Sequence, residues 1–162
     1  MKFAVLAVAM SLFGVAVTAD PSSVRVDAAW SRALPPVSDT GAVYVTVTNL
    51  GVQPDALVGA ETPMAERAEL HEHVMQDGLM KMRKVDAVKL APGGTVVMEP
   101  GGLHVMLMKL AQPLEAGTSF PITLHFRSAP TVTVSVSVMS MGAMPAPASN
   151  PKPHGHGAVK KN

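Results

Sequence analysis

Short runs of alternating apolar and polar residues, each closed by a glycine- or proline-bearing turn, leave this chain little to form but strands. Gly41 to Asn49 is the clearest run, with Val43, Val45 and Val47 on one side and Tyr44, Thr46 and Thr48 on the other. Ser23 to Trp30 alternates in the same way, and so does His104 to Leu110. Ala56–Glu61, Arg67–Val74, Leu79–Val85 and Thr95–Met98 are shorter candidates, and Ser119–Arg127 and Thr131–Met139 are β-branched runs that close the series. Turn signals separate them: Pro35-Pro36, Asp77-Gly78, Pro92-Gly93-Gly94, Pro100-Gly101-Gly102 and Ala116-Gly117. Strands at such intervals predict an all-β antiparallel sandwich or barrel. Only Pro63 to Glu69 suggests a helical turn. The apolar share of 48 % suffices for a core, and with 4 % aromatics that core must come largely from small aliphatic side chains.

The two ends differ from this middle. Residues 1–19 have the form of a secretory signal: Lys2, an apolar run from Phe3 to Val17, then Val17-Thr18-Ala19 with small residues ahead of a cut before Asp20. The run is short for a membrane span. Residues 20–139 form the expected folded domain. Residues 140–162 are rich in Ala, Pro, Gly, Ser and Lys without apolar alternation, and are expected to be a disordered tail bearing Met141, Met144, His154 and His156. The expected location is therefore the periplasm, with no membrane insertion once the signal is removed. Cleavage takes away Lys2 and no acid, so the 13 basic side chains become 12 against 12 acidic ones. A balance near zero gives no support for nucleic-acid binding. The chain has no cysteine. That excludes thiol–disulfide exchange, cysteine hydrolysis, blue-copper electron transfer and a lipoprotein cysteine after the apolar run.

Against that background one spacing stands out: His71, Met82, His104 and Met106, or H-x10-M-x21-H-x-M. Two imidazoles and two thioethers make a soft, uncharged donor set that suits monovalent copper. Zinc favours thiolate, imidazole and carboxylate, and calcium and magnesium favour oxygen. His104 and Met106 are two apart on one expected strand, so they share a face. Pairing across the Asp77-Gly78 turn would bring His71 and Met82 together. Taken singly, a Met on a strand is more at home as flexible core filler than as a ligand, and His104 could cap a strand by hydrogen bonding. Taken together, the spacing favours a metal site. His73, Met80 and Met108 share faces with the set and are candidate substitute ligands. Met64 and Met75 are expected in loops or at the surface, His125 in a structural role, and Glu69, Glu72 and Asp77 at a solvated edge, although these acids could orient a histidine. There is no Gly-rich phosphate loop, no G-x-S-x-G and no H-E-x-x-H, and nothing marks an enzyme.

The chain resembles the PCu(A)C family of periplasmic copper chaperones. The likeness lies in Ala29-Trp30-Ser31-Arg32 with Pro35-Pro36, Thr40 to Tyr44, Ala68-Glu69-Leu70-His71-Glu72, Met80-Lys81-Met82-Arg83 and, most densely, Pro100 to Met108. It continues through Pro113-Leu114 and Leu124-His125-Phe126, so that it spans residues 28–138. The resemblance implies a cupredoxin-like Greek-key β-sandwich and a Cu(I) site of His71, Met82, His104 and Met106. It implies delivery of copper to an acceptor such as a cytochrome c oxidase subunit, beside a Sco-type thiol protein. For the tail it implies a second copper, Cu(II), at His154 and His156, with a solubilising extension as the other reading. Copper sequestration for tolerance, a copper enzyme and a metal-free interaction domain are the competing functional readings.

Overall fold

The computed structural model describes residues 23–143, all strand, turn and loop. The expected signal segment, and the tail from residue 144 onward, lie outside the described residues. Ten strands follow one another: β1 (Val24–Arg32), β2 (Thr40–Asn49), β3 (Asp55–Glu61), β4 (Ala65–Gln76), β5 (Leu79–Lys84), β6 (Val88–Leu90), β7 (Thr95–Val97), β8 (His104–Leu110), β9 (Ser119–Phe126) and β10 (Val132–Met139). The hydrogen-bonded order is β5-β4-β8-β2-β1-β10-β9-β3-β6, with β7 on the far part of β2. This strip doubles over on itself. Val43, Val45, Val105, Leu107 and Leu70 from one half meet Leu57, Ile122, Leu124 and Val136 from the other in a single buried core. The expected all-β, cupredoxin-like sandwich is therefore the fold observed.

Four details differ from the sequence expectation. Val88–Leu90 is a strand, too short for alternation to reveal, and it pairs with the start of β3. Pro63 and Met64 form a turn, and β4 starts at Ala65, so no helical turn runs to Glu69. Met64 is a core residue at 8 % exposure rather than a surface one. Finally, the strands are not all antiparallel: β1 runs parallel to β10 from Trp30 to Arg32. A bulge between Asp27 and Trp30, with Ala28 at a φ of 48°, re-aims β1 between its neighbours.

Period two decides what each half of a strand does. In β8, Val105 and Leu107 face the core, so His104, Met106 and Met108 face the other way. In β2, Val43, Val45 and Val47 are buried while Ala42 and Tyr44 lie opposite. In β4, Leu70 points inward, and Glu69, His71 and His73 point outward. The outer face of β5-β4-β8-β2-β1 thus carries every donor of the sequence pattern.

Candidate metal centre

Pairing registers lay these side chains out as rows across the outer face. His71 lies opposite His104 on one side and opposite Lys84 on the other. Met106 lies opposite Glu69 and Ala42. Met82 lies opposite His73. The register of β4 with β5 comes from the hairpin turn. Asp77 and Gly78 both have positive φ, 54° and 76°, the signature of a two-residue type I′ turn. Gln76 is therefore paired with Leu79, and counting back places His73 across from Met82. His71 reaches Met82 on the diagonal, a step of about 7–8 Å between neighbouring strands.

His104 forms the floor of the site. Its ring is 2 % exposed, and its Nδ1 lies 3.0 Å from the Gly102 carbonyl oxygen. A carbonyl only accepts, so Nδ1 must carry the proton and Nε2 keeps a free lone pair. Burial holds the His104 imidazole below its ordinary pKa, and His73 and His71 act the same way against the opposing Gly102 bond. The neutral ring, which is the metal-binding form, is thereby favoured. Beside it is an open hollow of about 310 Å³, lined by His73, Met82, His104 and Met106, with Tyr44 and Arg32 at its wall. Met82 stands 47 % exposed on the edge strand β5.

His71 sits beside this hollow. Its ring centroid is 6.0 Å from that of His104. Its Nε2 lies 3.2 Å from Glu69 Oε2, while its Nδ1 is buried without a partner. A carboxylate on one imidazole nitrogen, with the other nitrogen free, is the usual arrangement around a metal-ligating histidine. Glu69 is also held by Lys84, 3.1 Å away, and the bonds from His71 and then Lys84 keep its carboxyl below the ordinary carboxylate range. Glu69 is thus a strand residue engaged with the site, not part of a solvated edge.

The spacing pattern did not single out His73 as a ligand. The structure stacks its ring on His104, at 5.0 Å between centroids and 30° between planes. Its Nδ1 is also buried and without a partner. The Asp77-Gly78 dipeptide was the signal that fixed its place, because a two-residue turn dictates the register. Met75 and Met80 pair across the same hairpin, 67 % and 54 % exposed, on the outward continuation of this face. His125 lies elsewhere, on β9, 3.5 Å from Glu61. His154 and His156 lie outside the described residues.

Chemically, the arrangement gives nitrogen and thioether donors and little oxygen. Among the described residues the His, Asp and Glu side chains do not by themselves make up a ready-formed metal site of three or more. A metal held here must take sulfur as well as nitrogen, which selects a soft ion.

Comparison with known proteins finds relatives across the folded region. Residues 24–138 match the family model described as "Putative lipoprotein LpqE-like". A curated relative, "Putative lipoprotein Lxx21020" of Leifsonia xyli, is 36 % identical over 109 residues, which is 67 % of this chain and 64 % of the relative. The chain thus spans a little under two thirds of that relative's length. Among solved structures, a "Copper-bound PCuAC domain from PmoF2" is 26 % identical with a TM-score of 0.63, covering 74 % of this chain and 94 % of that one. The solution structure of "CuI-DR1885" from Deinococcus radiodurans is 34 % identical with a TM-score of 0.59, covering 76 % and 81 %. The matched region runs from the first strand to within one residue of the end of the last, and the chain belongs to the LpqE-like family.

Proposed function

We propose that this protein is a periplasmic copper chaperone that binds Cu(I) through His71, Met82, His104 and Met106 and hands it to an acceptor. The observation that carries the reading is the buried His104 ring, tied at Nδ1 to Gly102 and presenting its other nitrogen beside the Met82 and Met106 thioethers. Two similar solved structures are copper-bound forms, which supports the choice of metal. Lack of cysteine suits an oxidising compartment, where a thiolate site would be lost to disulfides. Among the described residues no helix is long and apolar enough to cross a membrane.

Transfer follows from the uneven burial of the donors. His104 is fixed in the floor, and Met82 is nearly half exposed on an edge strand. An incoming ligand displaces Met82 first, while His104 and Met106 hold the ion. The copper-centre subunit of cytochrome c oxidase, with a Sco-type thiol protein beside it, is the acceptor chemistry this reading favours. The tail histidines His154 and His156 would take a second copper as Cu(II).

An anaerobic Cu(I) competition titration tests the site, comparing residues 20–162 with a version ending at Met139. One tight equivalent in both is expected, and Met106→Ala should weaken it by about tenfold or more, the loss of one donor among four. Unchanged affinity in Met106→Ala would refute the assignment. Loss of the tight equivalent with the tail would move the chemistry to residues 140–162.

A further inference from the structure

An unpaired polar nitrogen in a protein interior is costly, about 1–3 kcal/mol for a neutral group. Such atoms mark places where a partner is missing. Among the described residues there are three of them: Arg32 Nε, a donor that cannot ligate a cation and whose guanidinium lies over the Trp30 ring, and, side by side on the outer face, His71 Nδ1 and His73 Nδ1. His71 is accounted for by the proposed copper set. His73, which the sequence offers only as a substitute ligand, is the better placed of the two. It lines the hollow with Met82, His104 and Met106, which His71 does not. Its Cα partner is Met82 itself. Its ring lies 5.0 Å from that of His104, against 6.0 Å for His71.

We propose that His73 is a copper ligand of this site, through Nδ1, standing across the β4–β5 hairpin from Met82. The inference rests on the copper reading above and adds a donor to it. Its backbone placement is firm, because the His73 N–H donates to the Gly102 carbonyl oxygen at 3.3 Å. That same carbonyl accepts from His104 Nδ1. One peptide group therefore anchors the His73 backbone and the His104 ring together, and it keeps the two imidazoles neighbours, 5.0 Å apart between centroids. The five donors then divide by mobility. His104 and Met106 come from β8 and are fixed by its central place in the sheet. His73 and Met82 face each other on a hairpin at the sheet edge and move together. His71 is held back by Glu69. Copper entering from solvent meets the exposed Met82 first and His73 Nδ1 behind it. His71, already in the proposed set, and His73 keep their hold as Met82 lets go, so the ion is not left to the two β8 donors alone during transfer.

Imidazole ¹⁵N chemical shifts of the intact protein, recorded with and without one equivalent of Cu(I), read ligation at each ring directly. Shifts at His73 Nδ1, His71 Nδ1 and His104 Nε2 are expected. A Cu(I) competition titration of His73→Ala should show affinity reduced by tenfold or more, with one fewer nitrogen neighbour in X-ray absorption. If the His73 ring nitrogens do not move while those of His71 and His104 do, and His73→Ala binds as the parent does, the inference is overturned and the four-residue site stands. If no ring nitrogen moves and Met106→Ala also binds normally, the copper reading falls, and this inference with it. The shifts are measured on the unaltered chain, so a folding defect in the variant does not blunt the test.

Discussion

Glu69 meets both a histidine and a lysine on the outer face, and its role is to be judged as a single side chain. Its two oxygens accept from His71 Nε2 and Lys84 Nζ, at 3.2 and 3.1 Å. The first bond fixes the His71 ring and raises the donor strength of Nδ1. The second supplies the positive charge that keeps the carboxylate ionised. Glu69→Ala should therefore loosen His71 and cost about tenfold in Cu(I) affinity, as read by competition titration, while Lys84→Ala should cost less. Equal affinity in Glu69→Ala and the parent would mean that His71 does not ligate. At this scale the sequence was informative about identity but not about arrangement. The spacing singled out His71, Met82, His104 and Met106. The orphaned nitrogens and the Glu69 bond depend on which rotamer each ring takes, and no spacing encodes that.

β8 shows how one element serves two masters through its pleat. Val105 and Leu107, both fully buried, belong to the core, and His104 and Met106 belong to the metal face. Substitutions on the two faces should therefore separate. Leu107→Ala opens a cavity and should lower stability by about 2–5 kcal/mol, read by urea unfolding, with Cu(I) affinity retained. Met106→Ala should do the reverse. If both variants lost affinity together, the alternation would not isolate the site from the core. This alternation was legible in the sequence for β2, β8, β9 and β10, where runs are long and regular. It failed where physics is non-local. The three residues of β6 show no period of their own, and they are a strand only because β3 pairs with them. The parallel union of β1 with β10 joins segments some hundred residues apart and leaves no mark on either. The His73–Met82 pairing, by contrast, was written in Asp77-Gly78 once the turn type was taken at face value.

Across the whole molecule, the strip of strands must be locked where it doubles over, and Asp55 is one such lock. Its carboxylate accepts from the backbone N–H groups of Ala56, Ser128 and Ala129, tying the start of β3 to the loop between β9 and β10. Burial alone would raise its pKa, but the bonds from Ala129, Ala56, Ser128 and Arg127 together bring it below the ordinary carboxylate value. A depressed folded-state pKa contributes stability above the unfolded value of about 3.9, and that contribution is lost as pH falls through the lower folded value. Asp55→Asn should cost about 1–2 kcal/mol at neutral pH, and its stability should fall less steeply than the parent's below about pH 4. Matching acid limbs in the two unfolding curves would count against the lock.

On the proposed copper reading, the same unity would make copper a stabiliser of the whole domain rather than of one hairpin. The donors lie on β4, β5 and β8, and β8 is hydrogen-bonded to β2 in the middle of the strip. An ion that binds only the folded state therefore raises the free energy of unfolding everywhere the sheet is cooperative. At a hundredfold excess over Kd the gain is about 2.7 kcal/mol, and for a domain of this size the Tm should rise by something on the order of 10 °C. Calcium, which prefers oxygen donors, should leave the Tm unchanged. The decisive comparison is thermal unfolding with Cu(I) of the chain ending at Met139 and of its Met82→Ala/Met106→Ala double variant. A rise in the first and none in the second ties the stabilisation to the thioethers on this face. An equal rise in both would place the metal on other atoms of the folded domain, and no rise in either would remove copper from residues 20–139 altogether.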